Sequence, residues 1–356
     1  MEVVAISAIN KKNSHVLSLD SLRGIAALLV CGGHYLQHLG LERYFPSHQA
    51  VILFFVLSGY VLSLSLGKSI QTFLYPRFII KRIFRLYPAY YFAIIFTTIF
   101  VTGLSVVNFH YVCNWFLLVT DIGNLFSSIK MIDRPQIGHP IDSVTWSLTY
   151  EMIISAFFPF LYLFFYRVVA GNLLRSILAF CYVFFGFLVF IYYKIAIYSV
   201  VYYSVYFVIG MYVASNIRNL KFLSSYIFII FGVFLFFNNS LICLLGFQIN
   251  NIYCIDIYSS MGAVLLIIAC EHNSWLINVM KNKIIYFYGR ISYSFYLLHG
   301  PMLYIAFKFL NSWNILLLLA TSFICASVIS YFSFIYIEQP MMTLAAFINS
   351  SKRKGC

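Results

Sequence analysis

The first long apolar run of the sequence, residues 22–39, contains Arg23 and His34, two ionisable side chains that are eleven positions apart. Eleven helical steps of about 100° return to within about 20° of the starting direction, so both residues are predicted to share one helix face. The rise between them is about 16 Å, which places His34 near the middle of a membrane if Arg23 lies at its inner surface. An imidazole there could be a general base, a nucleophile, or a hydrogen-bonding group between helices.

Two carboxylates are the candidate partners of these cations. Asp20 precedes Arg23 by three residues and is predicted to pair with it on the same helix, although an arginine at this position can also be only a membrane anchor. Glu151 lies one or two turns into the run 144–166, with no Lys or Arg beside it. A carboxylate buried without a local partner indicates a partner on another helix, which could be Arg23, His34 or an arginine of the basic cluster. A purely structural salt bridge is the alternative.

The basic cluster is the densest in the chain and precedes the third apolar run. Its members are Lys68, Arg77, Lys81, Arg82 and Arg85. Arg82 and Arg85 are three residues apart and therefore lie on the same helical turn. Because guanidinium groups bind phosphate oxygens in a forked geometry, the pair predicts a phosphate site, and anchoring at the cytoplasmic surface is the alternative. Pro88 is expected at the start of the next helix.

The composition shows what kind of protein must position these residues. Of the 356 residues, 62% are apolar, 20% aromatic and only 9% charged, whereas a soluble domain is about half apolar and about a quarter charged. This excludes an ordinary cytosolic enzyme, a disordered or fibrous chain, and a disulfide-stapled secreted protein. The net charge of +13 indicates basic loops facing the anionic cytoplasmic leaflet. Nucleic-acid binding is not expected, because the basic residues interrupt apolar runs instead of forming one stripe.

Ten apolar runs have about the length that a membrane-spanning helix needs, which is roughly 20 residues. They are residues 22–39, 49–66, 88–106, 144–166, 173–193, 197–215, 222–237, 257–270, 291–310 and 313–337. The segment 238–256 is treated as an external or partly embedded loop. With the N-terminus inside, all but five of the 23 Lys and Arg residues fall on the internal side, as the positive-inside rule requires. The five external residues are Arg43, Lys130, Arg134, Lys194 and Lys308.

The predicted fold is therefore an all-α, polytopic bundle of about ten transmembrane helices with both termini in the cytoplasm. Residues 1–342 are predicted to form the membrane domain, and residues 343–356 a short basic cytoplasmic tail. We expect no appended soluble domain. No cleavable signal sequence is visible, because residues 1–20 contain charged groups and no apolar core.

Six stretches of the chain, taken in order, resemble the motifs of the acyltransferase family 3 membrane proteins. They are Leu19–Ala27 (LDSLRGIAA), Phe54–Tyr60 (FFVLSGY), Arg82–Pro88 (RIFRLYP), Trp146–Glu151 (WSLTYE), Gly289–Pro301 (GRISYSFYLLHGP) and Ile337–Pro340 (IEQP). The resemblance covers about residues 17–342 and includes the spacing from Arg23 to His34. Ser21 is a departure, since the family usually has glycine there. Many members also carry an extra periplasmic hydrolase-like domain.

The resemblance implies an O-acyltransferase of the bacterial inner membrane. Its co-substrate would be cytoplasmic acetyl-CoA, and its acceptor a hydroxyl of an envelope or exported glycan, or a lipid-linked glycan, such as O-antigen, capsule or exopolysaccharide. No bound cofactor and no metal are expected. The site residues implied are His34 and Glu151 for catalysis, Arg23, Arg82 and Arg85 for the donor phosphates, and Asp20, Trp146 and His299 in support. For His299, which lies inside the run 291–310, a structural role is the alternative.

Two other functions account for part of the pattern. A transporter or flippase of a charged or lipid-linked solute would also have many spans and buried ionisable groups, but it would not explain the six motifs. A non-catalytic subunit of an assembly complex would retain the motifs, and replacing His34 would then leave acetylation at the cell surface unchanged.

Overall fold

The computed structural model of the protein describes residues 2–69, 75–102, 145–168, 171–193, 196–247, 249, 251–310 and 312–351. Every regular element within these ranges is helical, as the apolar runs predicted. The α-helices are α1 (Glu2–Gln37), α2 (Ser47–Ser69), α3 (Tyr75–Thr102), α4 (Thr145–Leu163), α5 (Asn172–Tyr193), α6 (Ala196–Asn216), α7 (Tyr226–Phe236), α8 (Asn238–Leu244), α9 (Ile252–His272), α10 (Ser274–Met280), α11 (Lys283–Phe309), α12 (Ile315–Ser333) and α13 (Gln339–Ser351). Short 3-10 helices occur at Glu42–Tyr44 and Lys221–Ser224, and π-helical turns at Phe164–Val168 and Phe334–Glu338.

Each of the ten predicted runs overlaps one of these helices. Within the described residues, four helical stretches are long and apolar enough to cross a membrane, namely Ser47–Gly67, Trp146–Tyr166, Ile252–His272 and Ile315–Ile348. Helices α7 and α8 are bent by 64° at a short break and together make a possible fifth. The fold is thus all-helical with apolar spans, and the count of ten spans and the orientation of the termini stay predictions. Residues 103–106, 130, 134, 194 and 352–356, on which parts of that prediction depend, lie outside the described ranges.

Helix α3 corrects the expectation for Pro88. The helix begins at Tyr75, so Pro88 lies inside it and not at its start. Proline lacks the N–H that would bond to the carbonyl four residues earlier, but membrane helices tolerate it where other groups satisfy the freed carbonyl. Arg82 and Arg85 consequently belong to the same continuous helix as the apolar residues that follow Pro88.

The chain divides into two compact units, which are described separately. Unit one consists of Met1–Gln71, Glu151–Val189 and Val201–Ser292, and unit two of Thr72–Tyr150, Phe190–Val200 and Tyr293–Cys356. Helix α9 is central to unit one, where it packs against α1, α2 and α7.

Glycines allow α2 and α6 of unit one to approach closely. A Cβ atom on Gly210 of α6 would collide with the backbone of Val56 and Tyr60 in α2, and one on Gly59 would collide with the backbone of Phe207. Small residues at helix interfaces permit this kind of backbone contact in membrane proteins, where close packing replaces the hydrophobic effect. The contact fixes α2 against α6 at the turn of α2 that carries Ser58.

In unit two, α3 packs against α13 and against the π-helical turn Phe334–Glu338. Glu338 is buried and accepts a 3.0 Å hydrogen bond at Oε2 from the hydroxyl of Ser294 on α11. This bond joins the last two of the six motifs. Helix α13 runs through position 342 to Ser351 and buries Ala345, so the predicted tail begins inside a packed helix.

Candidate functional site

The residues predicted to form the site are distributed over both units. Unit one contains Asp20, Arg23, His34 and Glu151, and unit two contains Arg82, Arg85, Trp146 and His299. Helices α1 and α4 carry the residues of the first group, and α3, α4 and α11 carry those of the second.

The predicted pair on α1 is present in the structure. Arg23 Nη1 lies 3.3 Å from Asp20 Oδ1, and the Arg23 side chain is 17% exposed. The hydroxyl of Ser21 donates a 2.7 Å hydrogen bond to the backbone carbonyl of Met280, which ties α1 to the end of α10. The serine at the position where the family usually has glycine therefore has a structural partner. Because a guanidinium carries five N–H donors, the contact with Asp20 does not exhaust its capacity to bind an anion.

His34 lies in the last turn of α1, which ends at Gln37. Its half-buried imidazole is hydrogen-bonded to the Gln37 side chain. The side chain of Ser47 fills the space that a Cβ atom on Gly33 would need, so His34 lies level with the first turn of α2. The expected depth of His34 near the middle of the membrane stays a prediction. Helix α1 ends three residues after His34, which the spacing from Arg23 could not show.

Glu151 has a partner on another helix, as the sequence predicted. The hydroxyl of Ser58 on α2 donates a 3.2 Å hydrogen bond to Glu151 Oε1 on α4. Ser58 belongs to the second motif and Glu151 to the fourth, so the contact joins two motifs that are 93 residues apart. The three partners expected for this carboxylate were all charged, and Ser58 was not among them. The sequence feature that could have indicated Ser58 as the partner is its hydroxyl within an otherwise apolar motif.

Arg82 and Arg85 are half-buried on one turn of α3. Side chains at this spacing have Cβ atoms about 5–6 Å apart, so both guanidinium groups can reach one diphosphate. The hydroxyl of Tyr293 on α11 donates a 2.8 Å hydrogen bond to the carbonyl of Leu86, which fixes this turn of α3 within unit two.

Trp146 and His299 lie among aromatic side chains of unit two. The Trp146 and Tyr150 rings are 6.1 Å apart in an edge-on arrangement. His299 is completely buried, its Nδ1 lies 3.2 Å from the carbonyl of Phe295, and its ring is 5.9 Å from that of Tyr296. Tyr296 in turn shares a 2.6 Å hydrogen bond with Ser147, the neighbour of Trp146. Both residues thus have aromatic neighbours in unit two, and their supporting roles stay predictions.

Unit one also contains a cluster of polar groups that was not predicted from the sequence. Asp256 of α9 is buried and lies 2.6 Å from His48 Nε2 of α2. Its second oxygen accepts a 2.6 Å hydrogen bond from Tyr202 of α6, which itself accepts one of 2.8 Å from Tyr206. His48 and Asp256 each stand one residue outside a predicted apolar run, and they were therefore read as loop residues. The sequence feature that could have indicated this cluster is an acidic residue directly beside a long apolar run.

Comparisons with known proteins identify the family of the chain. A family model described as an acyltransferase domain matches residues 16–337. A segment of 123 residues is 34% identical to the protein 2 of the picA locus from Rhizobium radiobacter and covers 34% of this chain and 57% of that protein. A segment of 151 residues is 28% identical to the peptidoglycan O-acetyltransferase OatA of Listeria monocytogenes and covers 38% of this chain and 22% of that protein.

The chain thus spans only part of the length of these relatives. No solved structure matches it. The family model, in contrast, includes all six motifs except the last three residues of the sixth, and it includes every predicted site residue. An all-helical chain with apolar spans that matches this model over most of its length belongs to the acyltransferase 3 family of membrane proteins.

Proposed function

We propose that this chain transfers an acetyl group from acetyl-CoA to a hydroxyl of a cell-envelope or exported glycan. The observation that carries the proposal is the family match across residues 16–337, which contains the arginine, histidine and glutamate positions together. The likeness to a peptidoglycan O-acetyltransferase supports a glycan acceptor and an acetyl donor. We further propose that the protein resides in the bacterial inner membrane with ten spans and cytoplasmic termini, on the basis of its charge distribution.

Arg82 and Arg85 would hold the phosphates of the donor, with Arg23 assisting. Two half-buried guanidinium groups on one helical turn supply several charge-assisted N–H donors in a setting where water competes weakly. The site needs no glycine-rich nucleotide loop, because the arginines provide the anion contacts.

His34 would take the proton of the acceptor hydroxyl while the oxygen attacks the thioester carbonyl. The carbon–sulfur bond then breaks, and CoA leaves as the thiolate, which the returned proton neutralises. A transient acetyl group on the imidazole is the alternative course, with the same residues and two transfers in place of one. Glu151, held by Ser58, would set the charge state of His34 or orient a substrate.

The test uses the purified chain in lipid nanodiscs with acetyl-labelled acetyl-CoA and oligosaccharides released from the envelope of the source cells. The proposal expects label on the sugar, with O-acetyl signals by NMR that disappear in the His34→Ala variant. A transporter or flippase would leave the label on CoA. A non-catalytic assembly subunit would leave surface acetylation in cells unchanged by His34→Ala.

A further inference from the structure

Helix α1 and the first part of α11, which belongs to unit one, touch backbone to backbone at a pair of glycines. A Cβ atom on Gly24 of α1 would collide with the backbone nitrogen of Gly289 on α11, and one on Gly289 would collide with the backbone carbonyl of Asp20. A side chain at either glycine would therefore push the two helices apart. The contact fixes the residues beside the two glycines relative to each other.

Each of the two glycines has an arginine as its chain neighbour. Arg23 precedes Gly24, and Arg290 follows Gly289. By the predicted topology both helices run outward from the cytoplasmic side, so they are parallel. The glycine contacts fit this direction, because a Cβ atom tilts toward the N-terminus of its own helix, and each one would meet the backbone at or before the opposite glycine.

Helix geometry places both arginines on the same side of this contact. Successive residues of an α-helix differ by about 100° around the axis. Because two parallel helices turn in the same sense and face each other with opposite sides, one step back from Gly24 and one step forward from Gly289 lead to the same side. Asp20, four residues before Gly24, lies about 40° from the contact direction on that side as well. Asp20, Arg23 and Arg290 thus form one cluster, the α1–α11 arginine pair with its carboxylate.

This cluster is accessible and carries a net positive charge. The side chains of Arg23 and Asp20 are 17% and 37% exposed, and Arg290 is exposed. The contact of Arg23 with Asp20 orients one guanidinium group without exhausting its five N–H donors. Guanidinium forks from two neighbouring helices suit a phosphate group, because its oxygens can accept hydrogen bonds from both at once.

We propose that Arg290 is a further donor-binding residue and that the α1–α11 arginine pair holds the phosphate monoester on the ribose of CoA. CoA carries a diphosphate and this monoester. Arg82 and Arg85, which lie on one helical turn, fit the diphosphate, and the second pair then serves the monoester. The inference rests on the proposed function, since it names a contact of the donor in that reaction. Arg290 belongs to the fifth motif, and no role was predicted for it.

The test compares the binding of CoA and of dephospho-CoA, which lacks the monoester, by calorimetric titration of the chain in lipid nanodiscs. Wild type should bind dephospho-CoA at least tenfold more weakly than CoA, because the charge-assisted bonds to the monoester are lost. Arg290→Gln should bind CoA about tenfold more weakly than wild type does, yet bind dephospho-CoA with wild-type affinity. Such coupling is expected when the substitution and the change of ligand remove the same contact.

Three other variants complete the comparison. Arg85→Ala should weaken the binding of both ligands by the same factor, because both contain the diphosphate. Arg218→Gln removes another exposed arginine of unit one and should retain both wild-type affinities. Arg290→Lys keeps the charge that helps to orient the helix in the membrane, so it remains informative if Arg290→Gln does not insert. It should prefer CoA over dephospho-CoA less strongly than wild type does, because lysine lacks the guanidinium fork.

The outcomes separate this subsite from the proposed function. Wild-type affinity for CoA in a folded Arg290→Gln protein, or an equal loss for both ligands, would overturn the subsite. Equal affinity of wild type for CoA and dephospho-CoA would overturn it as well, and would leave the transferase function intact. The expected binding pattern without transfer of labelled acetyl groups to sugar would refute the proposed function and keep the subsite. Absence of CoA binding by wild type would refute both.

Discussion

Replacing Ser58 with alanine removes one hydrogen bond, the one that joins α2 to the carboxylate of Glu151. Hydrogen bonds to charged groups contribute roughly 1.5–3 kcal/mol. At 3.2 Å this bond is long for a hydroxyl donor, so the lower limit of about 1.5 kcal/mol applies. If Glu151 needs this bond to orient His34 or a substrate, Ser58→Ala should reduce kcat about tenfold. The acetyl-CoA KM should stay unchanged.

A double-mutant cycle shows whether Ser58 acts through Glu151. Glu151→Gln should reduce kcat more than Ser58→Ala does, because it removes the charge itself. In the Glu151→Gln background the Ser58 hydroxyl can bond only a neutral amide oxygen, so Ser58→Ala should reduce kcat by a smaller factor than it does beside glutamate. Contacting residues show coupling of this kind, whereas independent residues have additive effects.

The measurement is initial-rate transfer of labelled acetyl groups in nanodiscs, with melting temperatures recorded for every variant. Ser63→Ala, on the same helix and bonded to its own backbone, controls for the loss of a buried hydroxyl from α2. A wild-type kcat for Ser58→Ala would show that the bond to Glu151 does not contribute to the reaction. If Ser58→Ala reduces kcat by the same factor with glutamate as with glutamine at position 151, Ser58 does not act through the carboxylate.

Three further outcomes are expected. Arg85→Ala should weaken acetyl-CoA binding at least tenfold in a calorimetric titration. Arg85→Lys should restore little of the affinity, because lysine lacks the guanidinium fork. Wild-type affinity of both variants would mean that the basic cluster only orients the protein in the membrane. His34→Gln should abolish transfer while retaining acetyl-CoA binding, and strong activity of this variant would exclude a base or acyl-carrier role. Wild-type activity should fall as the pH is lowered, because a protonated imidazole cannot accept the proton of the hydroxyl. Reporter fusions at Lys68 and Cys356 should both read cytoplasmic, and a periplasmic signal at either would contradict the ten-span topology.

The residues that could be predicted from sequence are those whose interactions are local. Helix periodicity and apolar runs were sufficient to predict helices, because a spanning helix satisfies its own backbone. The pair between Asp20 and Arg23 followed from a spacing of three residues, since such neighbours meet on any helix. The six motifs were sufficient to indicate the family. Pro88 was misplaced because its local preference for a helix start was overridden by the surrounding packing.

Tertiary structure alone decided which distant helices share polar groups. His48 and Asp256 are 208 residues apart and meet because α2 and α9 pack together, while the periodicity of each helix contains no information about its partner. The same holds for Ser58 and Glu151. Only the packing of α1 on the start of α2 showed that His34 lies at a helix end. Helix formation depends on contacts within about four residues, whereas the choice of neighbours depends on the fit of whole surfaces, which no short stretch of sequence specifies.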